Sequence, residues 1–128
     1  MDFEFVGQLA IGGFIAIVFL QSGLDKIFDW KGNHSWLTDH FKNSILGRFV
    51  TPTLGIITLF ETAAGLLAAC GIVCLLWCAD GTCIYYSVLV SLLSLLMLLF
   101  GQRMAKDYDG AKTIAIYFGV ILISLLFF

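Results

Sequence analysis

The stretch TLGIITLFETAAGLLAACGIVCLLW, Thr53–Trp77, decides the fold of this chain. Its only acidic or basic residue is Glu61, and it is flanked by Thr51-Pro52 on one side and Cys78-Ala79-Asp80-Gly81 on the other. At about 1.5 Å of rise per residue, a helix of that length crosses the roughly 30 Å hydrocarbon core of a bilayer. Three further runs share its character: Phe5–Leu24, Ile84–Phe100 and Ala111–Phe127. Across the whole chain 60% of residues are hydrophobic and 12% are charged, against about 25% charged in an ordinary soluble domain. A soluble globule of this size would lack the polar surface to cover such a core, so lipid is the expected solvent.

Backbone groups in hydrocarbon must be satisfied within their own segment unless a barrel closes, and four spans cannot close one. The expected fold is therefore all-α: a polytopic membrane protein, a bundle of four transmembrane helices forming one domain over residues 1–128. Small residues spaced by four mark expected helix contacts: Gly12 with Ala16, Ala64 with Ala68, and Gly65 with Ala69. Ser87, Ser91 and Ser94 form a stripe that reads as an inward packing face, with hydroxyls able to bond back to their own helix.

The seven basic residues fall in two stretches, Lys26, Lys31, Lys42 and Arg48, then Arg103, Lys106 and Lys112. Four crossings put both stretches on one side, with the termini and the Ala79–Cys83 turn on the other. Since basic connectors are retained in the cytoplasm, the expectation is a multi-pass protein of the bacterial cytoplasmic membrane with both termini outside. Asp2 and Glu4 precede the first span in place of a basic leader, so that span reads as a retained helix and not a cleaved signal. In the first connector, Trp36, Leu37, Phe41 and Ile45 share one helical face and Thr38, Asp39, Lys42 and Asn43 the other. This pattern predicts a short interfacial helix over about 35–46, with Asn33 or Ser35 as N-cap and Gly47 as stop. Thr51 can cap the next helix, and Pro52 suits its first turn.

Glu61 is the residue that most needs a partner. It lies about 13–14 Å along its helix from Pro52, at a depth where a bare carboxylate costs several kcal/mol. Protonation avoids that cost, as does pairing with inward-facing polar groups. The candidates at similar height are Gln21 and Ser22, Gln102 and Arg103, and Tyr117; of these, Gln21, Ser22, Arg103 and Tyr117 would make, with Glu61, a polar pocket opening to the cytoplasmic leaflet. Glu61 reads equally as a structural lock on helix register or as a proton-carrying or ligand-contacting acid.

Cys70, Cys74 and Cys78 recur every four residues on one helix face, and Cys83 follows across the turn. Cys78 and Cys83 are a candidate disulfide if that turn faces the oxidising side; the alternative is that all four thiols are small apolar fillers. His34 and His40 lack a third ligand at suitable spacing, so no metal site is expected. Phosphate loops, nucleophile elbows and zinc-protease motifs are absent from the sequence. A net charge of −2 gives no support for nucleic-acid binding.

Three stretches carry a family resemblance: Phe19-Leu20-Gln21-Ser22-Gly23-Leu24-Asp25-Lys26-Ile27, Glu61-Thr62-Ala63-Ala64-Gly65-Leu66, and Gly101-Gln102-Arg103-Met104-Ala105-Lys106-Asp107-Tyr108-Asp109-Gly110-Ala111. In that order they resemble the DoxX family of small four-helix membrane proteins, over essentially the whole chain. Ser22, Gly23 and Lys26 match the first motif, Glu61 and Gly65 the second, and Arg103, Asp107, Tyr108, Gly110 and Ala111 the third. The resemblance implies similarity to the membrane subunit of thiosulfate:quinone oxidoreductases and association with redox and thiol-stress complexes, without assigning a catalytic role to any of these positions. The expected function is thus an integral membrane subunit or accessory protein of a quinone-linked assembly, without catalysis of its own. Its expected partners are the lipid bilayer and either other membrane or oxidoreductase subunits or further copies of itself. A small transporter or proton conductor using Glu61 and a pure membrane scaffold are the competing readings.

Overall fold

The computed structural model describes residues 3–42, 50–104 and 107–128. Within them the chain is helical, with no strand. Helix α1 covers Phe3–Phe28 and contains a π turn over Ala16–Leu20. Helix α2, Trp30–Phe41, fills the described part of the first connector. Helices α3, Val50–Cys78, and α4, Thr82–Met104, form an antiparallel hairpin, and α5 covers Tyr108–Ile123 before a final 3-10 turn, Ser124–Phe127. Four of these segments are long and apolar enough to cross a membrane: Phe3–Phe28, Thr51–Cys78, Thr82–Met104 and Tyr108–Phe127.

Each of the four runs beyond the span that hydropathy marks. Apolar sequence shows where lipid is tolerated, whereas a helix continues until its backbone is capped or turned. Helix α1 therefore carries on past Leu24 through Asp25 and Lys26 to Phe28, and α5 begins where the Asp107 carboxylate accepts from the Gly110 N–H at 3.1 Å. Helix α2 starts at Trp30, ahead of either expected cap. The Asn33 side chain instead donates to the Asp29 carbonyl at 2.9 Å, and Asp29 occupies the N-cap position. Residues 43–46 of the expected 35–46 helix, together with Gly47, Arg48 and Lys106, lie outside the described residues. Thr51 bonds to His34 Nε2 at 2.7 Å, tying the start of α3 to α2.

The core is a column of Ile11, Ile15 and Phe19 from α1, Ala64, Ala68 and Leu75 from α3, Ile84, Val88 and Leu95 from α4, and Ile121 from α5. Small residues let the backbones meet. A Cβ on Gly65 would stand 2.7 Å from the Leu20 backbone nitrogen, and one on Gly71 2.8 Å from that of Ile84, so neither position has room for a side chain. The serine stripe is fully buried. Ser91 and Ser94 bond back to the carbonyls of Ser87 and Val90, while Ser87 reaches across to the Ala64 carbonyl at 2.8 Å.

The two ends differ in what closes them. At one, Gln8 donates to the Phe127 carbonyl at 2.7 Å, Gly81 lies against Gln8 and the rings of Phe3 and Phe127 are 5.0 Å apart. The start of α1, the 79–81 turn and the end of α5 therefore share that end. At the other, His40 Nε2 of α2 stands 3.5 Å from Asp107 Oδ2 at the start of α5, and the His40 ring stacks on Trp36 at 4.7 Å. The described basic residues lie toward this second end.

Candidate functional site

Glu61 is 1% exposed, and its partner comes from α1. Lys26 Nζ lies 3.2 Å from Glu61 Oε2 and donates to Ser22 Oγ at 2.7 Å. Ser22 and Lys26 are one helical turn apart, so the hydroxyl steadies the ammonium that faces the acid. Close packing fixes the height: Gly23 abuts Thr62, with a Cβ there only 3.1 Å from the Thr62 Cα. The lysine side chain keeps 19% exposure against 2% for the glutamate, so the pair has a wet end and a dry end. An ion pair in such a position is held by attraction against desolvation, and removal of either partner is far more damaging than replacement of both.

Lys26 also lines a cleft of about 570 Å³. Its walls are Thr53, Leu54, Ile56 and Ile57 at the start of α3 and Leu96 to Leu98, Phe100, Gly101 and Gln102 at the end of α4, and Asn33, Trp36 and Leu37 of α2 bound it. The lining is overwhelmingly apolar, with Lys26, Asn33, Thr53 and Gln102 as its polar groups. Gln102 Oε1 is buried and has no hydrogen-bond partner among the described residues. The ammonium of Lys26 has three N–H groups, two of them directed at Ser22 and Glu61. Lys26 and Gln102 thus border one apolar volume of the size that small-molecule sites occupy, with the Gln102 amide end turned toward Gly110. Several wall residues, Trp36, Ile56, Leu96 and Phe100, are at the same time exposed on the outer surface of the helices, so the cleft opens sideways.

The other residues expected beside Glu61 are distributed differently. Ser22 is in the cluster through Lys26, and Gln102 is in the cleft. Gln21 is exposed. The buried positions Ile11, Ile15, Phe19 and Gly23 recur every four residues, a spacing that a 3.6-residue helix would carry about 40° round its axis per step. The π turn over Ala16–Leu20 absorbs that drift, keeps Gly23 inward and leaves Gln21 outside. Arg103 is exposed and sits over the Tyr108 ring, 4.9 Å from its centroid. Tyr117 packs edge-on against Phe14, with ring centroids 5.9 Å apart, and Phe14 is nine residues, about 13 Å, along α1 from Gly23. Neither Arg103 nor Tyr117 joins the acid. The partner that sequence reasoning missed was Lys26, whose signal was its i+4 relation to Ser22 on a helix that outlasts its apolar run.

At the opposite end, the thiols are also arranged differently from the expected Cys78–Cys83 pairing. All four cysteines are free, and Cys74 and Cys83 are close enough for their thiols to influence one another. Helix α3 overshoots its neighbour: Gly71, seven residues short of its end, touches Cys83 and Ile84 at the very start of α4. The turn therefore runs back along α3 and delivers Cys83 a full turn below Cys78. Ala79 adopts φ 53°, with its N–H on the Leu75 carbonyl at 3.0 Å, a left-handed helix stop usually made by glycine. The Asp80 carboxyl is held below its ordinary range by bonds from the Thr82 hydroxyl and Thr82 N–H.

Among the described residues no group of three His, Cys, Asp or Glu side chains is placed to hold a metal ion. Comparison with family models, curated proteins and solved structures found no match to this chain.

Proposed function

We propose that this chain is an integral membrane subunit or accessory protein of a quinone-linked redox assembly, a DoxX-type protein that holds a quinone or quinol head group without turning it over alone. The observation that carries the reading is the sideways apolar cleft with Lys26 and Gln102 on its walls. A quinone carbonyl accepts a hydrogen bond and a quinol hydroxyl donates one. The remaining Lys26 N–H serves the first, and the partnerless Gln102 Oε1 serves the second once its side chain turns from Gly110 into the cleft. An isoprenoid tail needs an apolar exit into lipid, which the exposed Ile56, Leu96 and Phe100 supply. The charge distribution supports a bacterial cytoplasmic-membrane location with both termini outside, the basic end and the cleft toward the cytoplasmic leaflet and α2 in the interface. A transporter built on Glu61 has less support, since its carboxylate is already engaged by Lys26 and no Pro-broken helix pair marks a midplane site.

The test is titration of a short-chain quinone into the full chain in detergent micelles, read by quenching of tryptophan fluorescence. Saturable quenching is expected, weakened about tenfold in Gln102→Leu, the equivalent of one hydrogen bond of about 1.4 kcal/mol, and abolished in Ile57→Phe combined with Leu96→Phe, which narrows the cleft. Quenching that never saturates, or that is identical in the narrowed variant, contradicts the reading.

A further inference from the structure

We infer that Cys74 and Cys83 are a dithiol site that closes into an inter-helical disulfide, stapling α3 to α4 at the end of the molecule away from the cleft. The inference uses none of the residues of the proposed quinone site and stands or falls separately from it.

Three observations place the pair. The two thiols are near enough to influence one another across the α3–α4 contact. The backbones that carry them are pressed together one turn away, where a Cβ on Gly71 would lie 3.2 Å from the Cys83 carbonyl carbon and 2.8 Å from the Ile84 nitrogen. A disulfide demands close Cα atoms and facing Cβ atoms, and helices in glycine contact hold their backbones near the separation it needs. Finally, both residues are half-buried beside the 79–81 turn, so a water-borne reagent reaches them at the helix ends. Cys70 and Cys78 stand one turn to either side of Cys74, and each is exposed on α3.

The oxidant is a soluble disulfide, acting by exchange. The thiolate of one cysteine attacks a sulfur of the reagent, forming a mixed disulfide and expelling one reagent thiol. The second cysteine, as thiolate, attacks the protein-borne sulfur of that mixed disulfide and expels the other reagent thiol. Two electrons and two protons leave the protein pair, one reagent disulfide becomes two thiols, and one S–S bond joins α3 to α4. With the termini outside, as proposed above, this end lies on the oxidising side of the membrane, where the bond persists. The staple would lock the hairpin whose other end forms two walls of the cleft.

The full chain in micelles is reduced with a phosphine, treated with oxidised glutathione, quenched in acid and labelled with a maleimide, and labels are counted by intact mass. Wild type is expected to fall from four labels to two, with both recovered on reduction. Cys78→Ser should fall from three to one. Cys74→Ser and Cys83→Ser should show no intramolecular closure, and peptide mapping of the wild type should recover the Cys74–Cys83 cross-link. Retention of all four labels in the wild type, a Cys78–Cys83 cross-link in its place, or a Cys78→Ser variant that keeps three labels would each overturn the proposal.

Discussion

The two ends of this molecule hold the same four helices by different means. At the basic end, α1 and α3 meet through a buried ion pair, Lys26–Glu61, set behind glycine contacts at Gly23 and Gly65. At the thiol end, α3 and α4 meet through Gly71, the Ala79–Gly81 turn and the thiols, with Asp80 bonded to Thr82 of its own turn. Close backbone packing is common to both, and buried charge belongs to one. The contrast teaches that packing alone suffices to hold these helices. A charged pair retained at one end therefore calls for a second purpose, and the cleft beside it supplies one.

Substitutions sort by which device they touch. The largest effect is expected for Lys26→Met, which strands Glu61 in the interior and should cost about 3–5 kcal/mol in unfolding measured in micelles, while Cys78→Ser, exposed at the far end, should stay within about 0.5 kcal/mol. Next come Gly65→Ala and Gly71→Ala. Each forces a Cβ into a neighbouring backbone, and each should cost about 1–3 kcal/mol; equal losses at the two ends would show that packing is shared, and a loss at one alone would break the symmetry. Smaller and opposite in sign, Ala79→Gly relieves a left-handed alanine and should stabilise by about 0.4–1 kcal/mol in the same assay.

The least effect is a pH dependence confined to the thiol end. The folded Asp80 carboxyl lies below its unfolded value near 3.8, so its contribution is present above that value and is lost as pH falls through the folded one. Amide exchange at Thr82 should accelerate as pH drops below about 4, beyond the intrinsic trend, and Asp80→Asn should remove that acceleration.

Much of this was legible in the sequence. Unbroken apolar runs forecast helices long enough to span a membrane, and the lone Glu61 forecast an acid that is either protonated or paired. What the sequence concealed depends on helix rotation and on relative height. Gln21 stands at a height that suits the acid, but rotation about the helix axis decides which way it faces, and a π turn, which has no composition signature in Ala16–Leu20, leaves it outside. Lys26 looked like a connector charge because hydropathy stops at Leu24, although the helix does not. Cys83 was matched with Cys78 as the nearer residue in the chain, but α3 rises past the start of α4 and the height match falls on Cys74. Arg103, Asp107 and Gly110, which carry the third family-like motif, fold into the corner that starts α5: Asp107 caps it, and a Cβ on Gly110 would crowd both Asp107 and Gln102.

The central claim is that Lys26 and Glu61 act as one enclosed unit. A double-mutant cycle with Lys26→Met, Glu61→Met and the combined variant, measured by unfolding of the full chain in micelles, tests it most directly. The account predicts two costly single changes and a double variant that recovers at least about 1.5 kcal/mol of their sum; single changes that add within about 0.5 kcal/mol would contradict it.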